Sequence, residues 1–551
     1  MQRYLCLLVA ALVLVSIAPR ATPQQPAAQI SAARATVTTP KEHFGFNMGD
    51  DYCLANYKQM ESYLKKIEGQ TDRLKLLSIG KTEEGREQLM AIVTSPANHK
   101  RLDRYREIAR KLARAEGVTP EEARKLADEG KAVLWIDGGL HASEVLCAQA
   151  LIESIYDFVT ANDPEALRIL DDVIILFVHC NPDGHDLVAD WYMRDKDPKR
   201  RSLASLPRLY EKYAGHDNNR DFYAANLAET RNMNRVMYRE WFPQLVMNHH
   251  QSGPAGSVMF VPPCRDPFNY FLHPMVVNGI ERVSGAIQER CLAEEKPGVT
   301  VRTGARFSTW WNGGLSTTCQ FHNMIGLFTE TIGGPTPSRV PLMPNKHLAN
   351  SDYIWAVPPQ EWHFRQSVEY LLTTNRALGD YCSRNRSLLL HNIYTMGKQS
   401  IERGNRDSWT ITPKMVAAAG GGRTAPEPRP KGEGEGKGGR GGGGGFGGMN
   451  QGGRSAADWD KFFRDPAKRD PRGFIIPSDQ SDFLTATKFV NTLIGGGVTV
   501  HRAKADFTAG GKKYPAGSYV VKSAQAFRAH VLDMFEPQDH PDDFAAGSST
   551  P

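Results

Sequence analysis

The chain contains no C-x-x-C pair. Its eight cysteines, Cys6, Cys53, Cys147, Cys180, Cys264, Cys291, Cys319 and Cys382, stand far apart, which excludes a thiolate zinc cluster. Beyond Cys6 seven remain, an odd number that cannot all pair internally, and several lie in apolar segments where cysteine behaves as a small buried hydrophobe. A large excess of charge of one sign is also missing. The formal net charge is +6 over 551 residues and is spread along the chain, so there is no footprint for a nucleic-acid partner.

A long hydrophobic run is missing too. After Arg3, the apolar stretch Tyr4 to Ala18 is shorter than the ~20 residues a membrane-crossing helix needs. It reads as a secretory signal peptide, with cleavage points near Ala18 and Ala21 that Pro19 disturbs. We therefore expect residues 1–21 to be a signal peptide, no stable transmembrane span after its cleavage, and a secreted or periplasmic location. Export permits disulfides, but the sequence assigns none.

The length exceeds one usual domain, so two folded units are expected. Residues 22–40 are polar and Ala-rich, a disordered N-terminal segment. From Ala417 to Ser455 glycine dominates and aliphatic residues nearly vanish, the composition of a flexible linker. Its Gly-Gly-Arg-Gly-Gly run lacks the repeated aromatics of an RNA-binding tail, and Gly432 to Gly439 lacks the strand and helix of a phosphate loop. Residues 396–416 read as a connector. Past the linker, 456–551 holds the strand-like pieces Gly473–Ile476, Val498–His501 and Gly517–Val521 with a helical Ser481–Leu493, a small α+β accessory unit without a cluster of catalytic groups.

Upstream, strand-like runs at Leu74–Gly80, Gln88–Thr94, Ala132–Ile136 and Val173–His179 alternate with helical patterns at Asp51–Glu68, Asp103–Ala115 and Ser143–Val159. The strands lack polar alternation. Residues 41–395 are therefore expected to form an α/β domain, a mixed, largely parallel sheet with helices on both faces. In such sheets, sites form at the carboxyl ends of strands, where His141, Asn181, His250 and Glu330 fall.

Chemistry enters with Trp135-Ile-Asp-Gly-Gly-Leu-His-Ala-Ser-Glu144 and Asn248-His-His-Gln-Ser-Gly253. Two imidazoles and one carboxylate make a catalytic zinc site, which uses three protein ligands and keeps the fourth position open. His-x-x-Glu alone is a weak signal. It gains weight from the ordered motifs Asn181-Pro-Asp-Gly184, His216-Asp-Asn-Asn-Arg-Asp-Phe222 and Leu327-Phe-Thr-Glu-Thr-Ile-Gly-Gly334.

On these motifs the chain resembles the zinc metallocarboxypeptidase family typified by carboxypeptidase A, particularly its secreted bacterial members, over residues 41–395. The resemblance implies one zinc per chain, held by His141, Glu144 and His250. His249 competes with His250, and the family places its ligand immediately before this type of Gln-Ser-Gly segment. Asp217 matches the partner that orients His141; read alone, it caps a turn. Asn219 and Arg220 stand where the family holds the substrate's terminal carboxylate, which a planar guanidinium engages through both oxygens. Read alone, Arg220 pairs with Asp221 or Asp217. Arg194 would polarise the scissile carbonyl, with Lys196 and Arg200 as competitors. Glu330 ends a strand in which burying an acid is costly; near zinc it would accept a proton from the attacking water and deliver it to the leaving amine.

Three departures bear on substrate recognition. No tyrosine lies between Tyr270 and Glu330 to match the family's mobile capping tyrosine, Ser143 stands where the carboxypeptidase A branch has Arg, and Asn248 stands where many bacterial relatives show Asp. From Val301 to Thr329 there is no acid, but there are Phe307, Trp310, Trp311 and Leu315, which favours aromatic or aliphatic C-terminal residues. The expected function is a secreted zinc metallocarboxypeptidase acting on peptide or protein C-termini. The alternatives are a cell-wall peptide hydrolase or amidase of the same fold, and a peptide-binding protein without turnover.

Overall fold

Eight runs, most of them rich in apolar residues, line up as one sheet. In the computed structural model, which describes residues 37–208, 217–419 and 455–540, they are β1 (Leu74–Lys81), β2 (Glu87–Val93), β3 (Ala132–Gly138), β4 (Val173–His179), β5 (Leu245–His250), β6 (Met259–Cys264), β7 (Val299–Arg302) and β8 (Ile325–Thr331). Their order is β1-β2-β4-β3-β5-β8-β6-β7. The centre, β4-β3-β5-β8, is parallel, while β1 with β2, β2 with β4, and β6 with β8 are antiparallel. Every residue of β3, β4, β5 and β8 is buried, so both sheet faces are covered. That explains the apolar runs Ala132–Ile136, Val173–Val178, Leu245–Met247 and Ile325–Phe328 that open them. This is the mixed, largely parallel α/β architecture expected.

Helix Val145–Thr160 packs on β3 and against Phe364–Arg384, while Leu315–Gln320 packs on β5 and β8. The helix expected from Asp51 begins at Tyr57, because Asn56 and Gln59 close a capping box: the Asn56 side chain accepts from Gln59 N–H at 2.8 Å and Gln59 Oε1 from Asn56 N–H at 2.9 Å. Helix Arg386–Asn405 runs unbroken across the expected 395/396 boundary. Among the described residues no helix is long and apolar enough to cross a membrane, and all seven cysteines are free. The expected signal peptide, the 22–36 part of the N-terminal segment, residues 420–454 of the linker and residues 541–551 of the accessory region lie outside the described residues.

After Ser455 the chain builds a three-stranded antiparallel sheet from Gly473–Ile476, Tyr519–Lys522 and His501–Arg502, a hairpin of Phe507–Ala509 with Lys512–Tyr514, and helices Phe483–Gly495 and Arg528–Phe535. The strand expected from Val498 starts only at His501. Gly497 is left-handed (φ 84°) and Val498 N–H bonds back to Leu493 O at 2.9 Å, so Val498 completes the helix terminus and packs with Leu493, Val521 and Val531. This region is docked on the upstream fold. Phe527 is fully buried in the main core, near Phe242 and His322 and with the Arg114 guanidinium 5.0 Å from its ring. Arg114 also donates to Gly497 O at 2.5 Å, and Asn323 Nδ2 donates to Ala526 O at 2.8 Å.

Candidate active site and metal centre

β3 ends in Gly138-Gly139 because nothing larger fits. A Cβ on Gly138 would lie 2.6 Å from Cys147 O, and one on Gly139, at φ 73°, would lie 2.6 Å from His179 Nε2. The chain then turns tightly, with Glu144 N–H donating to His141 O at 2.9 Å, and both side chains emerge at the carboxyl end of the sheet. β5 delivers His250 to the same place. Its Nδ1 lies 2.9 Å from Glu144 Oε2, and His141 Nδ1 lies 2.9 Å from Glu144 Oε1. One ligand atom from each of the three falls within 4.8 Å of the others.

The outward nitrogens are engaged elsewhere. His141 Nε2 meets Asp217 Oδ1 at 2.9 Å, and His250 Nε2 meets Asn248 Oδ1 at 2.6 Å. Both imidazoles therefore turn Nδ1 inward, the arrangement of metal-ligating histidines whose far nitrogen is held by an acceptor. Burial would raise the Glu144 carboxyl, but His250 and His141 overcome it and hold it well below the usual range. Burial likewise opposes charge on His141, yet Asp217 and Glu144 raise it to about 10. Asp217 is brought to about 2, burial being outweighed by its bonds to His141 and Asn219 N–H. These shifts describe imidazoles drawn toward protonation by the carboxylates they meet, and carboxylates held ionised by the imidazoles.

Beside this cluster stands Glu330, the register partner of His250 across β5 and β8. Its Oε2 is buried without a hydrogen-bond partner. Burial pushes its carboxyl up to about 7, against the pull of His250 and Ser252.

Residues 60–247 match the family model described as zinc carboxypeptidase. Over those residues the chain carries a zinc carboxypeptidase domain. Its domain is that of a zinc metallopeptidase, and the match spans His141, Glu144, Asn219 and Arg220 while stopping just before His250. No curated protein matches the chain. Among solved structures it is similar to a metallo-carboxypeptidase from Burkholderia cenocepacia (14% identity, 58% of this chain and 66% of that one, TM-score 0.35). Others are a metallo-carboxypeptidase from Pseudomonas aeruginosa in complex with (2-guanidinoethylmercapto)succinic acid (16%, 60% and 68%, 0.37) and the carboxypeptidase A from Helicoverpa armigera (11%, 62% and 74%, 0.33). The chain thus spans just under two thirds of the first.

In this zinc carboxypeptidase domain, the loop carrying Asn219 and Arg220 is tied down from both sides. Asn218 Nδ2 donates to Leu140 O at 2.6 Å, Asp221 accepts from Asn226 and Leu227 N–H, and Phe222 N–H donates to Gly313 O at 3.1 Å. Asn219 places its Nδ2 3.1 Å from His250 Nε2 while its Oδ1 accepts from Leu315 N–H at 2.9 Å. Arg220 is exposed. It donates to Asn219 O, meets Asp217 at 3.8 Å, and lies 5.8 Å from the Trp311 ring, which Tyr223 meets edge-on. The pairing of Arg220 with Asp217 is therefore loose, and Asp221 faces backbone amides instead.

His249 is buried away from the cluster, with Nδ1 at Thr329 Oγ1 and Nε2 at Asn375 Oδ1, each 2.8 Å. Arg194 lies on the face of Trp191, 3.6 Å from its centroid, and donates to the Trp191 and Ser202 carbonyls. No described contact joins it to the cluster. Arg200 pairs with Asp195.

Three residues with a part in the site carried no sequence assignment. Gln251 N–H donates to Glu144 Oε2 at 3.1 Å while its Oε1 accepts from Leu146 N–H at 2.7 Å, clamping the His141–Glu144 turn to the end of β5. Asn248 and Asp137 stand behind His250: Asn248 Nδ2 donates to Asp137 Oδ1 at 2.5 Å, and Trp135 Nε1 donates to Asp137 Oδ2 at 2.7 Å. A charged residue inside an otherwise apolar strand was the available signal for Asp137.

Proposed function

We propose that the chain is an exported zinc carboxypeptidase, its catalytic domain in residues 41–395, that holds one zinc at His141, Glu144 and His250 and removes C-terminal residues from peptides and proteins. The observation that carries this reading is the buried, unpartnered Oε2 of Glu330 beside a cluster whose two imidazoles and carboxylate converge within 4.8 Å. The donor set suits zinc, because two imidazole nitrogens and one carboxylate are the ligand types of a catalytic zinc site. Zinc bound there supplies Lewis acidity, polarising the scissile carbonyl and acidifying water.

The remaining work falls to side chains. Glu330, with a carboxyl raised to about 7, accepts a proton from the attacking water and passes it to the departing amine. A base is most effective when its affinity for the proton lies near the working pH. Asp217 and Asn248 keep the ligand imidazoles in orientation. Arg220 receives the substrate's terminal carboxylate: its guanidinium is exposed and only loosely engaged by Asp217, so a bidentate partner displaces no buried contact. Asn219 assists from the same turn. Trp311 and Tyr223 form an apolar wall beside Arg220, suited to an aromatic or aliphatic terminal side chain.

Arg194 is the proposed partner of the charge that develops on the carbonyl oxygen. Among the described residues it makes no ion pair, and its hydrogen bonds go to neutral carbonyls. Export through residues 1–21 is part of the same reading.

The test is to incubate the purified, zinc-loaded protein with a peptide library and read the products by mass spectrometry. Loss of single C-terminal residues is expected. Internal cuts, or release from amidated ends at equal rate, would replace this reading with an endopeptidase or amidase.

A further inference from the structure

His250 can offer Nδ1 to a metal only if that atom carries a lone pair, and a neutral imidazole has a single N–H, so the hydrogen must sit on Nε2. Two neighbours contend for Nε2. Asn219 points an amide nitrogen at it from 3.1 Å, and Leu315 N–H, bonded to Asn219 Oδ1 at 2.9 Å, holds that amide in place. A donor there favours a lone pair on Nε2 and moves the hydrogen to Nδ1, the wrong atom. Asn248 offers its carbonyl oxygen at 2.6 Å, which favours the right one. The outcome depends on which end of the Asn248 amide faces the ring.

An amide has nearly the same shape either way round, so packing cannot choose; only the polarity of its neighbours can. Behind Asn248 lies its direct cross-strand partner, Asp137 on β3, with Asn248 Nδ2 2.5 Å from Asp137 Oδ1. Burial raises the Asp137 carboxyl to about 6, against the hydrogen bonds it accepts, so at neutral pH it is ionised and only accepts hydrogen bonds. Asn248 must therefore turn its nitrogen to Asp137 and its oxygen to His250. Trp135 Nε1 donates to the other carboxylate oxygen at 2.7 Å, and the Cys180 thiol also bonds to the group. Asp137 and Asn248 are wholly buried, so water cannot stand in for either.

We infer that Asp137 is a positioning residue whose carboxylate, acting through the Asn248 amide, fixes the His250 tautomer that leaves Nδ1 free for the metal. It rests on the metal-centre reading above and extends it to a residue one strand away. Two strands share the task that a single acid two residues before His250 would perform alone.

The polarity of the relay can be inverted without changing its shape. In Asp137→Asn, Trp135 still requires an acceptor, so the new amide keeps its oxygen there and turns its nitrogen to Asn248. The Asn248 amide rotates to meet it and presents its own nitrogen to His250. Both neighbours of Nε2 are then donors, and the hydrogen moves to Nδ1. In the double variant Asp137→Asn/Asn248→Asp, the carboxylate at 248 accepts from His250 and from the amide at 137, and every donor is again matched.

Zinc affinity, measured by chelator competition on the full chain, reads the difference without recourse to turnover. Asp137→Asn is expected to bind zinc about 10- to 100-fold more weakly, and the double variant to return close to wild type. Trp135→Phe removes a hydrogen bond from the same carboxylate but leaves the relay's direction intact, so its melting temperature should fall while zinc affinity holds. The inference is overturned if Asp137→Asn binds zinc as well as wild type, if the double variant fails to recover, or if Trp135→Phe loses as much affinity as Asp137→Asn. Should Asp137→Asn not fold, the double variant and Trp135→Phe decide by the same criteria. A wild-type chain that takes up no zinc overturns the metal-centre reading itself and this inference with it, an outcome distinct from a zinc-binding wild type whose variants are indifferent.

Discussion

His250 and Glu330 are register partners on adjacent parallel strands, β5 and β8. Neighbouring strands lie about 5 Å apart, so the pairing sets the proposed metal ligand and the proposed base side by side without any loop to adjust. It also buries the Glu330 carboxyl, which pushes it up to about 7. One register thus accounts for both the position and the proton affinity of the acid.

Glu330→Gln keeps the size of the side chain and removes its ability to accept a proton. Zinc content should be unchanged, and turnover should fall by about 10² to 10⁴, the usual contribution of general acid and base catalysis. Metal analysis together with kcat checks this, and near-normal turnover in a zinc-loaded variant rejects the role.

The adjacent histidines should behave differently. His141→Ala and His250→Ala are expected to lose tight zinc binding. His249→Ala should retain it, because His249 faces Thr329 and Asn375. Removing it leaves those two polar groups without their partner in the core, costing about 1 to 3 kcal/mol of stability. Metal content and denaturant unfolding of the three variants separate ligand from support.

Zinc binding should depend on pH with a definite sign. In the metal-free protein His141 is raised from 6.5 to about 10, so at neutral pH the ring carries a proton on both nitrogens. Ligation at Nδ1 expels one. Affinity should rise with pH by up to about tenfold per unit for each proton expelled, and the His141 contribution should level off above about 10. His250 is raised as well, by Glu144 against burial, and adds to the slope. For the metal-free fold, the His141 shift gives stability that is fully present below pH 6.5 and lost as pH rises through about 10. Competition titrations across pH check the first statement and thermal melts the second; affinity independent of pH would count against the ligand assignment.

Arg220→Ala tests exopeptidase recognition. Free-acid peptides should lose about 2 kcal/mol in kcat/KM, roughly 30-fold, the lower end for a charge pair because the guanidinium is half exposed. Peptides with amidated ends should start slow and change little. Equal losses on both substrates would move terminal recognition away from Arg220.

Phe527 joins the region after the Gly-rich segment to the main core. Phe527→Ala should cost about 3 to 5 kcal/mol and lower the unfolding of the whole described fold in one transition. Two separated transitions, with the upstream one unmoved, would show that the docking contributes little.

Local chemistry was readable from the chain alone. The runs that became β3 and β4 stood out because strands buried on both faces must be almost wholly apolar, and the His141–Glu144 pair was visible because its two residues are separated by only two others. Motif order then supplied His250 and Glu330, although the family match itself ends just before His250. What the linear order could not state is strand order. Only the insertion of β5 between β3 and β8 sets His250 level with Glu330 on one side and Asn248 level with Asp137 on the other, and a register of that kind depends on contacts among segments far apart in the chain. The resting place of Arg194 on Trp191 was equally beyond reach, since a long exposed side chain takes its position from its surroundings, not from its neighbours in sequence. The docking of Phe527 follows the same logic: a lone aromatic in a polar segment looks like any surface residue until the fold provides the cavity that it fills.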